Sequence, residues 1–295
     1  MRDQAEKLRQ MVEATYIKPT SSVIKQPAGR ARVVTVTSGK GGVGKTNFTV
    51  NLALALASMG QKVLVIDADL GMANVDVILG CSAPYNILNL LEGDLTLDDI
   101  IMEGPSGIKF VSGGSGIYHL ANLNDGQLQK IINKITAFDG WADIILIDTG
   151  AGLNKNVLNF VVAADEVVII TTPEPTAITD AYAMMKAYAG YNGVAPLRLV
   201  VNRVLEKEEG NLVVGKLINV ALRFLGLSIS NLGFVYEDRN MVKAVKNQTP
   251  VFLSYPDTIS VRCIEEIASR LLYGDDAIQT SGLKGFFTRF LGLMR

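Results

Sequence analysis

Five short runs of apolar and β-branched residues, at 33–37, 63–66, 144–147, 167–170 and 199–201, show no alternation of polar and apolar positions. Strands covered on both faces read this way, because neither face meets water. The runs therefore predict the central strands of a parallel sheet. Residues 108–111 and 232–235 form shorter runs and predict flanking strands. Longer helix-compatible stretches lie between and beyond them, at about residues 44–58, 125–137, 155–163, 176–188, 215–225 and 257–273. This alternation predicts an α/β fold, a doubly wound and mostly parallel sheet with helices on both faces, spanning residues 33–273.

Both ends depart from the pattern. Residues 16–32 carry Pro19, Pro27, Gly29 and several serines, threonines and basic residues, with little to bury, and read as a flexible linker. It separates residues 1–15 from the body. Within that first segment Asp3 and Glu6 have a spacing like that of a capping box, and Ala5, Leu8, Met11 and Val12 form a narrow apolar stripe that includes Gln4, with Arg9 at its edge. A helix this short is marginal alone, so it either orders against a partner or remains an unstructured start.

At the other end, residues 274–282 read as a polar linker before a sharply different peptide, residues 283–295. On a helical projection Leu283, Phe286, Phe287, Phe290, Leu291, Leu293 and Met294 fall within one arc of about 160°. Lys284, Arg289 and Arg295 lie opposite. Phe286, Phe287, Phe290 and Leu291 facing lipid, with Lys284 and Arg289 facing headgroups, would fit a helix lying in an anionic membrane surface. The same pattern fits a terminal helix docked on its own domain, because amphipathicity alone does not distinguish protein from lipid.

Charge and composition narrow the choices. The 28 basic and 29 acidic residues leave a net charge of −1, so no overall field favours nucleic acid, and DNA is not an expected partner. Cys81 and Cys263 are far apart and carry no metal-type spacing, which argues against a disulfide scaffold. The single histidine, His119, excludes a His-rich metal site. No apolar run reaches the roughly 18 residues of a membrane span, and the N-terminus lacks the apolar core of a signal peptide, so a cytoplasmic location is expected.

The chemistry is concentrated after the first strand. Ser38-Gly39-Lys40-Gly41-Gly42-Val43-Gly44-Lys45-Thr46 fits Gly-x4-Gly-Lys-Thr between a strand and a helix. Its glycines let backbone N–H groups curl around phosphate, Lys45 can reach the β and γ phosphates, and Thr46 can ligate Mg²⁺. The second strand ends in Asp67 and Asp69, and the central run at 144–147 ends in Asp148-Thr149-Gly150-Ala151-Gly152. Carboxylates at strand C-termini lie where open parallel sheets bind ligands. There they serve phosphoryl transfer to water, although Asp67 and Asp69 also suit a turn or a helix cap.

The second lysine, Lys40, gives the loop the form Lys-Gly-Gly-Val-Gly-Lys-Thr, which resembles the deviant Walker A motif of the MinD/ParA ATPases. The resemblance, covering about residues 33–273, implies ATP and ADP as ligands with Mg²⁺. It implies an ATP-dependent homodimer in which Lys40 crosses to the partner's nucleotide. It further implies phosphate contacts from Gly41, Gly42, Val43, Gly44, Lys45, Thr46 and Asn47, and a catalytic Asp69 that positions water. The same resemblance implies that Asp67 and Asp148 join Thr46 in ordering the magnesium shell. Thr172-Pro173-Glu174-Pro175-Thr176 resembles the family's Pro-Glu segment, which brings Glu174 to the dimer face. Val200-Val201-Asn202-Arg203 resembles its adenine-side strand, where Asn202 and Arg203 contact the base. Asn47 in place of a second threonine, and Asp148-Thr149-Gly150 in place of Asp-x-Pro, are departures that bear on the hydrolysis rate.

Among relatives, the pattern Asp3-Gln4-Ala5-x-x-Leu8-Arg9 and the segment from Asp69 to Asp76 resemble the FlhG (FleN/YlxH) family of flagellar number and placement regulators. That resemblance implies stimulation of the GTPase FlhF through Gln4, Leu8 and Arg9, contact with flagellar C-ring proteins, and peripheral association with the cytoplasmic face of the membrane. Septum-site MinD is the alternative, as is a non-catalytic adaptor.

Overall fold

The computed structural model describes residues 30–69, 74–81, 83–91, 95–112, 124–274 and 278–294. The expected N-terminal helix with Gln4, Leu8 and Arg9, residues 16–29 of the expected linker, His119 and Arg295 lie outside them.

Eight strands form one sheet. They are β1 (Arg32–Ser38), β2 (Val63–Ala68), β3 (Met102–Glu103), β4 (Lys109–Ser112), β5 (Ile144–Ala151), β6 (Glu166–Thr171), β7 (Leu197–Val204) and β8 (Ile229–Tyr236). Their order is β3-β4-β2-β5-β1-β6-β7-β8. Every neighbouring pair is parallel except β3 and β4. The chain leaves β1 for one side of the sheet and returns past it through β5 to β6 on the other. The loop after β1 therefore opens where the winding reverses, the usual position of a ligand site in such sheets.

The helices among the described residues are α1 (Lys45–Ser58), α2 (Val75–Leu79), α3 (Leu97–Ile100), α4 (Asp125–Ile135), α5 (Lys155–Ala163) and α6 (Pro175–Gly190). They continue with α7 (Lys207–Leu225), α8 (Arg239–Lys246), α9 (Val251–Ser254), α10 (Ile259–Tyr273) and α11 (Gly282–Met294). Alternate strand residues serve opposite layers, as period-2 geometry requires. Val34, Val36, Val63 and Val65 pack with α1 and α10, whereas Val33, Leu64, Ile66 and Ile145 pack beneath α5 and α11. All seven residues of β1 are buried, which explains the absence of alternation in its sequence.

The expected strands and helices are present, with three differences. Helix α7 begins at Lys207, not near 215, and Gly210 within its first turns serves packing: a Cβ there would lie 2.9 Å from the Phe234 ring. The expected linker does not extend to 32, since Ala31 and Arg32 are buried and the Arg32 guanidinium pairs with buried Glu166 and donates to the Leu271 carbonyl. The terminal peptide is helical but is no appendage. Leu283, Phe286, Phe287 and Phe290 are at most 1% exposed, part of the apolar layer that includes Phe160 of α5.

Candidate functional site

The loop between β1 and α1 owes its shape to glycine. Gly42 and Gly44 have φ of 80° and 90°, the left-handed region where a side chain is strained. At Gly39 the reason is proximity, since a Cβ there would fall 2.1 Å from the Asp180 carbonyl oxygen of α6. The loop is fastened from two sides: the Asn202 amide donates to the Val43 carbonyl at 2.7 Å, and the amide of Gly152 donates to Ser38 O at 3.0 Å. Gly41 and Gly42 remain exposed, so their backbone faces outward at the start of α1.

Lys45 and Thr46 begin α1, and Asp148 sits beside them near the end of β5. Lys45 Nζ lies 3.3 Å from Asp148 Oδ1, and Thr49 Oγ1 donates to the same oxygen at 3.1 Å. Asp148 is fully buried. Burial pushes its carboxyl above the usual carboxylate range, opposed by the charge of Lys45 and by hydrogen bonds from Thr46, Thr49 and Lys45. Its second oxygen, Oδ2, is buried with no hydrogen-bond partner. An orphaned carboxylate oxygen beside a lysine, a threonine and the N-terminus of a helix fits a hydrated divalent cation. The residues thus suit a magnesium nucleotide.

Asp67 stands opposite Asp148 in the register of β2 and β5. Its Oδ1 accepts from the Asp69 amide at 3.0 Å, and its Oδ2 from the amides of Asn74 and Val75 at 2.8 and 3.1 Å. Burial, with the nearby charge of Asp148, raises its pKa to about 6 against the pull of those amides. Asp69 lies over the end of β5, with Oδ1 3.4 Å from the position a Cβ on Gly150 would take.

Lys40 meets Glu174 within the same chain. Its Nζ bonds Glu174 Oε2 and Thr176 Oγ1, both at 2.8 Å, on an exposed rim. The lysine holds the Glu174 carboxyl below its usual range. The close approach of α6 to Gly39 is what brings these residues together.

Asn202 and Arg203 end β7 at the far side of the loop. Arg203 adopts φ of 60° and its Nε donates to Glu237 Oε2 at 2.8 Å. A pocket of about 380 Å³ opens there, lined by Gly44, Asn47 and Phe48 of the nucleotide side, by Tyr236 at the end of β8 and by Asp238 and Met241 beyond it. Sequence reasoning reached Asn47, Asn202 and Arg203 but missed Thr49, Thr176 and Glu237. Thr49 was accessible, one helical turn beyond Lys45. Glu237 belongs to no motif, and only the β7–β8 pairing brings it to Arg203.

The residues expected to face lipid are grouped at a second place. The Phe286 and Phe290 rings lie 6.2 and 4.5 Å from Phe160, and Leu291 packs at the edge of the same cluster. Polar contacts hold both ends of the turn into α11. Asp139 accepts from the amides of Leu283 and Lys284 at 2.6 and 3.3 Å, a helix cap supplied by another element. Arg289 donates to the Ala163 carbonyl and pairs with Asp165 at 2.9 Å, and Asp165 also holds Ser281. The Lys284 side chain is exposed, and Arg289 is exposed in part while it makes these contacts.

An AAA-domain family model, AAA_31, matches residues 31–191. The antiactivator FleN of Pseudomonas aeruginosa is 37% identical over 240 residues, 81% of this chain and 86% of that protein. The flagellum site-determining protein YlxH of Helicobacter pylori is 36% identical over 269 residues, 89% of this chain and 90% of that one. Among solved structures, the septum site-determining protein MinD of Pyrococcus horikoshii, complexed with Mg-ADP, superposes with a TM-score of 0.63 at 25% identity, over 82% of this chain and 96% of its own. The phosphate-binding loop, the buried aspartate beside it and these relationships agree, and the chain belongs to the FleN/YlxH (FlhG) branch of the MinD/ParA-type P-loop ATPases.

Proposed function

We propose that this ATPase is a dimerising, membrane-associating switch that controls flagellar number and placement. The observation that carries the reading is the position of Lys40, whose ammonium sits on an exposed rim and is held, among the described residues, by Glu174 and Thr176 at the start of α6. An exposed ion pair of this kind is worth little, so exchange of Glu174 for the phosphates of a facing subunit's nucleotide costs little. Glu174 then becomes available to the opposite protomer.

Within each protomer Lys45 and the amides of residues 41–47 balance the phosphates of ATP, while Asn202 and Arg203 border the pocket that takes the base. Thr46 and Asp148 would hold Mg²⁺, which supplies charge neutralisation at the phosphates. Asp69 orients the attacking water, whose oxygen bonds phosphorus as the bond to the β-phosphate oxygen breaks, giving ADP and inorganic phosphate. Gly150 and Gly152 let the end of β5 and the turn after it readjust afterwards.

Release of α11 from its groove would expose Phe286, Phe287, Phe290 and Leu291 to lipid and Lys284 and Arg289 to anionic headgroups. A dimer presents two such helices, and the second insertion is effectively intramolecular. The protein is then cytoplasmic as a monomer and peripheral on the cell membrane as the ATP dimer. Residues 1–15 stimulate an FlhF-type GTPase, Leu8 by docking and Gln4 or Arg9 by reaching its nucleotide, and flagellar C-ring proteins are further partners. The flagellar assignment draws on the names of FleN and YlxH.

Phosphate release tests the catalytic half. Lys40→Ala and Asp69→Ala should each bind ATP as the wild type does and hydrolyse it at least about tenfold more slowly; wild-type turnover in both would overturn the assignment. For the N-terminus, a peptide of residues 1–20 should accelerate hydrolysis by the partner GTPase, and a saturating peptide without effect would remove that activity.

A further inference from the structure

Asp67 is 2% exposed, and both its oxygens are committed to backbone amides. These amides belong to Asp69 on one side of residues 70–73 and to Asn74 and Val75 on the other. A buried carboxylate needs such donors, because nothing else offsets the water it has lost. The result is a clasp: one side chain, fixed at the end of β2, holds the two ends of the connection to α2. Asp69 is the residue held at its first end, and its carboxylate lies against Gly150, two residues beyond Asp148 on β5. We propose that Asp67 is a positioning residue for hydrolysis, acting through Asp69 by tying the backbone on both sides of residues 70–73, and not by ordering the magnesium shell as the family resemblance implied. The proposal rests on the reading of Asp69 as the water-orienting group.

The physical consequence is specific. An asparagine at 67 keeps the shape but has one accepting oxygen, so either the Asp69 amide or the amides of Asn74 and Val75 lose their acceptor. Slack in that backbone moves Asp69, and a displacement of about 1 Å at a reacting group can cost on the order of 10²-fold in rate. ATP affinity rests on Lys45 and the loop amides and is untouched.

The experiment compares Asp67→Asn, Asp69→Asn and the double variant of the full chain. Asp67→Asn should lower kcat by about tenfold or more, with KM for ATP and the half-saturating Mg²⁺ concentration each within about twofold. The double variant should be no slower than Asp69→Asn alone, because a residue that acts only through Asp69 has nothing left to position. Amide exchange at Asn74 or Val75, or at Asp69, should quicken in Asp67→Asn without nucleotide, which reports the clasp independently of turnover. Rates that multiply in the double variant, or a raised Mg²⁺ requirement with kcat restored at high Mg²⁺, would overturn the proposal and return Asp67 to the magnesium shell. Wild-type kcat in Asp69→Asn would instead sink the reading of Asp69 and the proposal with it. Wild-type kcat in Asp67→Asn beside an inactive Asp69→Asn would sink the proposal alone.

Discussion

At the scale of single residues, function depends on charges held where water cannot screen them. Lys45 is the clearest: its ammonium is buried beside Asp148 and is the one cation of the loop inside the fold. Lys45→Ala should abolish ATP binding in calorimetry, and affinity unchanged from wild type would refute its role. Asp67 has a signature in stability as well. Its pKa in the folded chain, about 6, lies above the ordinary 3.8, so the folded state binds the proton more tightly. The contribution is therefore favourable below about pH 4 and is lost as pH rises through about 6. Without nucleotide or Mg²⁺, the folding stability of wild type should fall relative to that of Asp67→Asn as pH rises across that window, by on the order of 2–3 kcal/mol. A flat difference would contradict the burial cost. Lys45, Thr46, Asp69 and Asp148 were legible in the sequence because a phosphate loop and strand-end carboxylates are contiguous patterns. The partners of Lys40 and Arg203 were less so, since those ion pairs close over 134 and 34 residues of chain.

At the scale of elements, periodicity showed what each segment could bury but not against what. The central strands were readable because burial on both faces removes alternation. Helix α7 was read short: Gly210 is a poor helix former in sequence, and only in space does it show its use, a close approach to Phe234. Helix α11 shows the same limit: its apolar face was plain, and α5 supplies the cover. Asp139 and Asp165 now give that cover a means of release, since each caps or pairs with α11 from a fixed element. Asp139→Ala removes the cap at a cost of about 1 kcal/mol and should loosen the docked helix. Sedimentation with anionic vesicles in ADP should then rise above wild type. If it does not rise, docking and lipid do not compete for the same face.

At the scale of the whole molecule, the sheet order places β1 between β5 and β6, so the phosphate loop, both aspartate-bearing strands and the rim with Glu174 open on one edge. Helix α11 lies on a covering layer, joined to the site through α5, which starts three residues after Gly152. Nucleotide state and helix docking therefore share one structural element. The account requires that two such edges meet when ATP is bound. Size-exclusion chromatography with light scattering, on the hydrolysis-impaired Asp69→Ala protein, reads this most directly. The account predicts a monomer mass in ADP, twice that mass in ATP with Mg²⁺, and a return to the monomer in ATP when Lys40→Ala is added. The same mass in both nucleotides, or a full ATP dimer without the Lys40 side chain, would contradict it.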